Sequence, residues 1–162
     1  MGSLAAIPTG HGTFVVQFNS VGLCRLDFPG KARMPSAAPL PAGLAKRWLT
    51  AAAAALESLV LGQAPKKLPP LDLSCGTDFQ QSVWRHLLKI PLGQTRSYGE
   101  IARRLAKPGA SRVVGSACGA NPIPVIVPCH RVLAAHRHIG GFSGGLGWKQ
   151  HLLRIEGAKF IE

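Results

Sequence analysis

Acidic side chains are scarce in this chain. Seven Asp and Glu stand against nineteen Lys and Arg, a formal net charge of +12 over 162 residues. A surplus of this size favours a polyanionic partner, either a nucleic acid or an anionic membrane surface. No run of roughly eighteen apolar residues is present, so no membrane span is expected. No strongly amphipathic basic helix with an aromatic face stands out, which leaves nucleic acid as the favoured partner. The opening MGSLAAIPTGHG lacks a basic start followed by an apolar core, so no secretory signal is expected. Cysteine is limited to Cys24, Cys75, Cys118 and Cys129, with neither a C-x-x-C pair nor a disulfide-like framework. That usage suits a reducing, intracellular compartment, the cytoplasm of a prokaryote or the nucleus of a eukaryote. Paired Cys and His ligand spacing is missing too, so no metal site is expected. Charged residues make up only 16% and hydrophobic ones 46%, a composition that excludes a disordered chain.

What is present divides at a proline-rich link. Two alternating apolar segments, TFVVQF (13–18) and LCRLDF (23–28), predict a β-hairpin around Asn19 to Gly22. A proline-rich loop (29–43) follows, then LAKRWLTAAAAALESLVLG, a helix closed by Gly62. The link APKKLPPLDL (64–73) predicts a boundary, with an N-terminal α/β part at 1–73 and a C-terminal part at 74–162. The fold class expected is α/β (α+β), a small sheet plus helix followed by a mainly helical domain. The charge is uneven: residues 77–157 hold 11 basic and 3 acidic side chains, residues 1–76 hold 7 and 3.

In the C-terminal part Thr77 and Gln80 form a T-x-x-Q capping box, and Phe79, Val83, Trp84, Leu87 and Leu88 make one apolar stripe ended by Pro91. Two short helices, GEIARRLA and SRVVGSACG, flank a turn with Pro108 and Gly109. Their spacing suits a helix-turn-helix, although many such helical hairpins bind nothing. Trp84 and Trp148 are expected in the core.

The stretch NPIPVIVPCHRVL (121–133) carries the chemistry. Pro122, Pro124 and Pro128 each favour extended geometry before them, which predicts a stiff extended segment delivering Cys129 to a fixed place. On extended chain Cys129 and His130 point to opposite sides, so a water between them is as acceptable as direct contact. A cysteine beside a base and an arginine gains thiolate character, and the thiolate is the nucleophile. Cys24, Cys75 and Cys118 are expected to be small buried hydrophobes.

PCHRV (128–132) with NPIPVI just upstream resembles the signature of the O6-alkylguanine-DNA alkyltransferases, the methylated-DNA–protein-cysteine methyltransferases. The likeness extends over FQQSVWRHLLKIPLGQTRSYGEIA, SRVVGSACGANPIPVIVPCHRV and GGFSGGLGWKQHLLRIEG, about half the chain. It implies that Cys129 accepts an alkyl group from guanine O6 in a single turnover, with no metal or organic cofactor. It implies that His130 takes the thiol proton through a water and that Glu156 orients His130, a triad logic carried onto a thiol. Asn121 would brace the turn before the cysteine, and Tyr98 would donate to the guanine as it leaves. Arg112 would fill the stack behind a flipped nucleotide, on a helix entering the minor groove. Ser111, Lys107, Gly99, Gln80 and Ala135 fall at DNA-contacting positions, and Val132 and Ser143 at the lesion pocket. The implied partner is double-stranded DNA carrying O6-alkylguanine, with self-association along DNA left open.

The sequence departs from the pattern at Phe142, where many members have tyrosine, and in AAHRHIGG, which lacks an Asn-Gly turn. Ala135 offers no side-chain hydrogen bond, and nothing matches the N-terminal zinc ligands of some members. Two other classes compete. A lesion-binding module without transfer is disfavoured by the presence of Cys129. A thiol hydrolase using Cys129, His130 and Glu156 leaves the charge and the Arg112 helix without a purpose.

Overall fold

The computed structural model describes residues 3–31 and 43–162. Most of the expected proline-rich loop, residues 32–42, lies outside the described residues. The chain divides into two compact units, Met1–Cys75 and Gly76–Glu162.

The first unit is an antiparallel three-stranded sheet in sequential order, β1 (Ser3–Thr9), β2 (Gly12–Phe18) and β3 (Leu23–Asp27). The β2–β3 hairpin forms where alternation predicts it. Asn19 Oδ1 closes the turn by accepting from the backbone of Val21 at 2.9 Å and of Gly22 at 3.1 Å. Strand β1 is an addition to the sequence reading. Pro8 and two alanines hide its strand character, and Pro8 is tolerated because β1 is an edge. Phe14, Val16 and Phe18 share one face of β2 and are all buried. Helix α1 (Leu44–Val60) packs on the sheet, with Trp48 stacked at 6.4 Å from Phe18. Its end follows expectation: Gly62 adopts φ +70° and the Gln63 amide returns to the Ser58 carbonyl at 2.9 Å. The segment after it runs beside β3, bonded through Leu23 to Pro70 and Asp72 to Leu23 at 2.8 Å each. Two of the cysteines depart from the sequence reading. Cys75 is exposed in the link after the sheet, and Cys24 is only half-buried, on a strand at the sheet's edge.

The second unit contains α2 (Asp78–Leu87), β4 (Arg96–Ser97), α3 (Tyr98–Arg104), α4 (Ser111–Gly119), β5 (Val132–Leu133) and α5 (Leu146–Ile155). The Thr77–Gln80 capping box forms in both directions, at 3.2 and 2.9 Å. Ser97 and Glu100 make a second box on α3. Trp84, 1% exposed, donates from its indole to the Ala117 carbonyl at 2.8 Å and locks α2 to α4. Gly76 is dictated by that ring, since a Cβ there would lie 2.4 Å from it. Trp148 is half-buried rather than a core residue. Helices α3 and α4 pack together across a turn with Ala106 at φ +55° and Gly109 at φ +88°, the expected helix-turn-helix layout. The two-residue strands β4 and β5 pair in parallel and tie the start of α3 to the segment after Cys129.

The expected extended run from Asn121 to Cys129 does not form. The Val127 amide returns to the Ile123 carbonyl at 2.9 Å, Val125 has φ +72°, and Cys129–Arg131 is a single 3₁₀ turn. Proline fixes φ near −65°, a value that turns and extended chain share. The choice falls to Asn121, whose side chain supplies the hydrogen bonds a turn needs. Its Nδ2 donates to the Val127 carbonyl at 2.8 Å, and its Oδ1 accepts from the Ile123 amide at 3.0 Å.

Candidate active site

Cys129 sits at the start of that 3₁₀ turn, 3% exposed, with its sulfur facing a cavity of about 450 Å³. The walls come from three places. The N-terminus of α3 gives Tyr98, α4 gives Arg112 and Cys118, and the loop before α5 gives Phe142 and Ser143. Ser111, Gly115 and Gly119 complete the α4 side, so the helix-turn-helix itself forms the mouth. Asn121 Nδ2 donates a second hydrogen bond to Cys129 Sγ at 3.1 Å. One side chain thus shapes the turn and holds the thiol.

Behind the cysteine lies a buried charge network. Glu156 caps the end of α5, and His130 and Glu156 have no exposed side-chain surface. A carboxylate only accepts, so His130 Nε2 carries the hydrogen and donates to Glu156 Oε1 at 2.8 Å. His130 Nδ1 is then the lone-pair nitrogen, and it is buried without a hydrogen-bond partner. Arg131 grips the same carboxylate with Nε on Oε2 and Nη2 on Oε1, both 2.9 Å, and donates from Nη1 to the Ile90 carbonyl at 2.7 Å. The arginine therefore serves the glutamate, not the thiol. Burial pushes the Glu156 carboxyl up, but the hydrogen bonds from His130 and Arg131 outweigh it and hold its pKa down to about 2. Burial lowers the pKa of His130, against the pull of Glu156, so the imidazole is neutral and can take a proton at Nδ1. Gly93, at φ +78°, brings its backbone against the same glutamate, and a Cβ there would meet the Glu156 carbonyl at 2.9 Å.

Burial pushes the Cys129 thiol up to about 11, while the Asn121 hydrogen bond and the charge of Lys149 pull it down. Lys149 was not legible as a site residue. It is 0% exposed, donating to the carbonyls of Val132 at 2.8 Å and Gly141 at 3.1 Å, with its ammonium 6.0 Å from the Tyr98 ring centre. Burial lowers its pKa to about 8. Helical spacing held the signal: Lys149, Leu152, Leu153 and Glu156 share one stripe of α5. Burial also raises the Tyr98 hydroxyl to about 12, so it stays a donor.

The family model for the 6-O-methylguanine DNA methyltransferase DNA-binding domain matches residues 78–158. The chain belongs to this family. A methylated-DNA–protein-cysteine methyltransferase of Mycobacterium leprae is 52% identical over 101 residues, 62% of this chain and 61% of that protein. The aligned segment thus spans less than two thirds of that relative. A methyltransferase of the same name from Methanosarcina barkeri is 42% identical over 151 residues, 90% of each chain. Among solved structures, Mycobacterium tuberculosis OGT in complex with DNA superposes with a TM-score of 0.81 at 38% identity, covering 96% of this chain and 92% of that one. The architecture is accordingly the mixed α/β arrangement of the methyltransferase family.

Around this cavity the candidates of the sequence reading fall into two groups. Cys129, Tyr98, Ser111, Arg112, Phe142 and Ser143 line one cavity, with His130, Glu156 and Asn121 supporting it from behind. Gln80, Lys107, Gly99 and Ala135 do not line it. Gln80 is engaged in its capping box, and Lys107 is exposed with its ammonium 5.8 Å from the Phe79 ring centre. Gly99 lies where a Cβ would come 3.5 Å from Ser111 Oγ, at the α3–α4 junction. Ala135 opens an exposed 3₁₀ turn whose His136 and Arg137 adopt φ +57° and +64°. Val132 is buried, with its carbonyl occupied by Lys149. Among the described residues no cluster of three His, Cys, Asp or Glu is arranged to hold a metal ion, and no helix is long and apolar enough to cross a membrane.

Proposed function

We propose that this chain repairs DNA by direct reversal, moving an alkyl group from guanine O6 to Cys129 once per molecule. The observation that carries the reading is the buried Glu156–His130 pair, whose unpartnered Nδ1 belongs to the residue that follows Cys129, itself part of a cavity wall. The Cys129 proton passes to His130 Nδ1 through a water. The sulfur then attacks the alkyl carbon in line, a C–S bond forms and the C–O6 bond breaks. The departing guanine gathers negative charge, which the Tyr98 hydroxyl meets by donating a hydrogen bond. The buried Lys149 ammonium favours the same step, since it stabilises the thiolate. The product thioether has no route back to a thiol here, which makes the protein a stoichiometric reagent.

The substrate is double-stranded DNA carrying O6-alkylguanine. An O6 substituent lies inside the duplex, so the nucleotide must be rotated out to reach a buried sulfur. Arg112 stands exposed at the start of α4 on the cavity rim, placed to fill the gap. Ser111, Lys107, Gly99, Gln80 and Ala135 contact the nucleic acid, and the backbone of Cys129 and Ser143 reads the base, while Val132, its carbonyl held by Lys149, supports the floor beneath it. Small residues along α4 allow it to lie close to a minor groove. The test is intact-protein and peptide mass after mixing with duplex DNA carrying one O6-methylguanine. A gain of one CH₂ on the Cys129 peptide, halting at one per molecule, is expected. Tight binding without mass gain would leave a lesion sensor and end the transfer reading.

A further inference from the structure

Cys118 is not used by the chemistry above, yet it lines the same cavity as Cys129. The two thiols share one neighbour. The Asn121 amide donates to the Cys118 carbonyl at 3.2 Å, and the Asn121 side chain donates to Cys129 Sγ at 3.1 Å. Both cysteines are shielded from bulk solvent, 6% and 3% exposed, and both belong to the walls of the one cavity of about 450 Å³. Cys118 stands in the last turn of α4, followed by Gly119 and Ala120, and helix ends are the least restrained part of a helix. The positive charge of Lys149 draws both thiols toward ionisation, against their burial. Cys24 and Cys75, by contrast, belong to the other unit.

We propose that Cys118 is a second reactive thiol of this cavity, which closes onto Cys129 as a disulfide in the presence of a hydroperoxide and so withdraws the acceptor reversibly. The Cys129 thiolate attacks the hydroperoxide, its O–O bond breaks, and the alkoxide leaves as an alcohol with the thiol's proton. The resulting sulfenic sulfur is attacked by Cys118, the S–S bond forms and hydroxide leaves as water with the Cys118 proton. Two thiols lose two electrons, and one hydroperoxide becomes an alcohol and water. Burial holds the thiols at about 11 and about 12, so thiolate is sparse and the first step is slow. A lone sulfenic acid would proceed to irreversible sulfinic acid, and the second thiol intercepts it.

The consequence for repair rests on Cys129 being the alkyl acceptor, but the crosslink can be read without any transfer. Trypsin cleavage after Arg112 and Arg131 places Cys118 and Cys129 on one peptide, Val113–Arg131. Full-length protein and Cys118→Ala are treated with hydrogen peroxide, blocked with iodoacetamide and digested without reductant. The expected wild-type result is that peptide lighter by two hydrogens, with loss of O6-benzylguanine labelling that dithiothreitol restores. Cys118→Ala, scaled to its own untreated labelling, is expected to lose it without recovery. A wild-type peptide with two separately blocked thiols would overturn the proposal, as would equal recovery in the variant. If untreated protein takes no benzyl group, the acceptor reading fails while the peptide mass still decides the disulfide.

Discussion

Glu156 is the residue on which the site's electrostatics turn, because one carboxylate serves a buried histidine and a buried arginine. Glu156→Gln leaves Arg131 buried without its counter-charge, a loss of about 3–5 kcal/mol. The carboxyl's pKa is about 2 folded against 4.5 ordinarily, so its stabilisation is full above 4.5 and disappears as pH falls toward 2. Urea midpoints of the two proteins should therefore differ widely at pH 7 and converge at acid pH, and a constant gap would refute the charge argument. Lys149→Met removes the cation that draws the thiol toward ionisation. Reaction with free O6-benzylguanine should slow by roughly tenfold, the equivalent of a single pKa unit, and an unchanged rate would remove Lys149 from the chemistry. Cys129 and His130 were legible in sequence because their types fit nucleophile and base, whereas Glu156, 26 residues away, came only through the family likeness. Lys149 was not, since a lysine between Trp148 and Gln150 reads as solvated surface until its stripe is traced.

Among the elements, the helices were the most legible, because caps are local. Thr77–Gln80 announces a start and Gly62 an end within a few residues, while the equally local Ser97–Glu100 box was passed over. The turn before Cys129 was not, since the deciding hydrogen bonds run from the Asn121 side chain to Val127, and proline counting cannot see them. Strand β1 was hidden for a similar reason, its identity depending on pairing with β2. At this scale the test concerns α4. Arg112 is exposed at its first turn and touches the cavity rim without entering the Glu156 network. Arg112→Ala should slow repair in duplex DNA by on the order of ten- to a hundredfold, the worth of a few kcal/mol of unstacking. Reaction with free O6-benzylguanine should hardly change. Equal losses on both substrates would make Arg112 part of the pocket, not of base extrusion.

For the whole molecule, the net charge of +12 bears on association, not on fold. Around the helix-turn-helix, Arg103, Arg104, Lys107 and Arg112 are all exposed and carry no acidic partner in a salt bridge among the described residues. Four exposed cations, with Glu100 near Arg103 as partial compensation, cost self-repulsion unless a polyanion neutralises them. Binding to duplex DNA should therefore weaken steeply with salt, with a log–log slope of about −0.9 for each phosphate neutralised. Lys107→Ala removes one such cation outside the cavity. It should make the slope shallower by about one, weaken binding equally on lesioned and intact duplex, and leave free O6-benzylguanine labelling intact. The measurement is fluorescence anisotropy of both proteins over a salt series. A flat profile in the wild type would mean the basic surplus serves something other than DNA, and an unchanged slope in the variant would remove Lys107 from the interface.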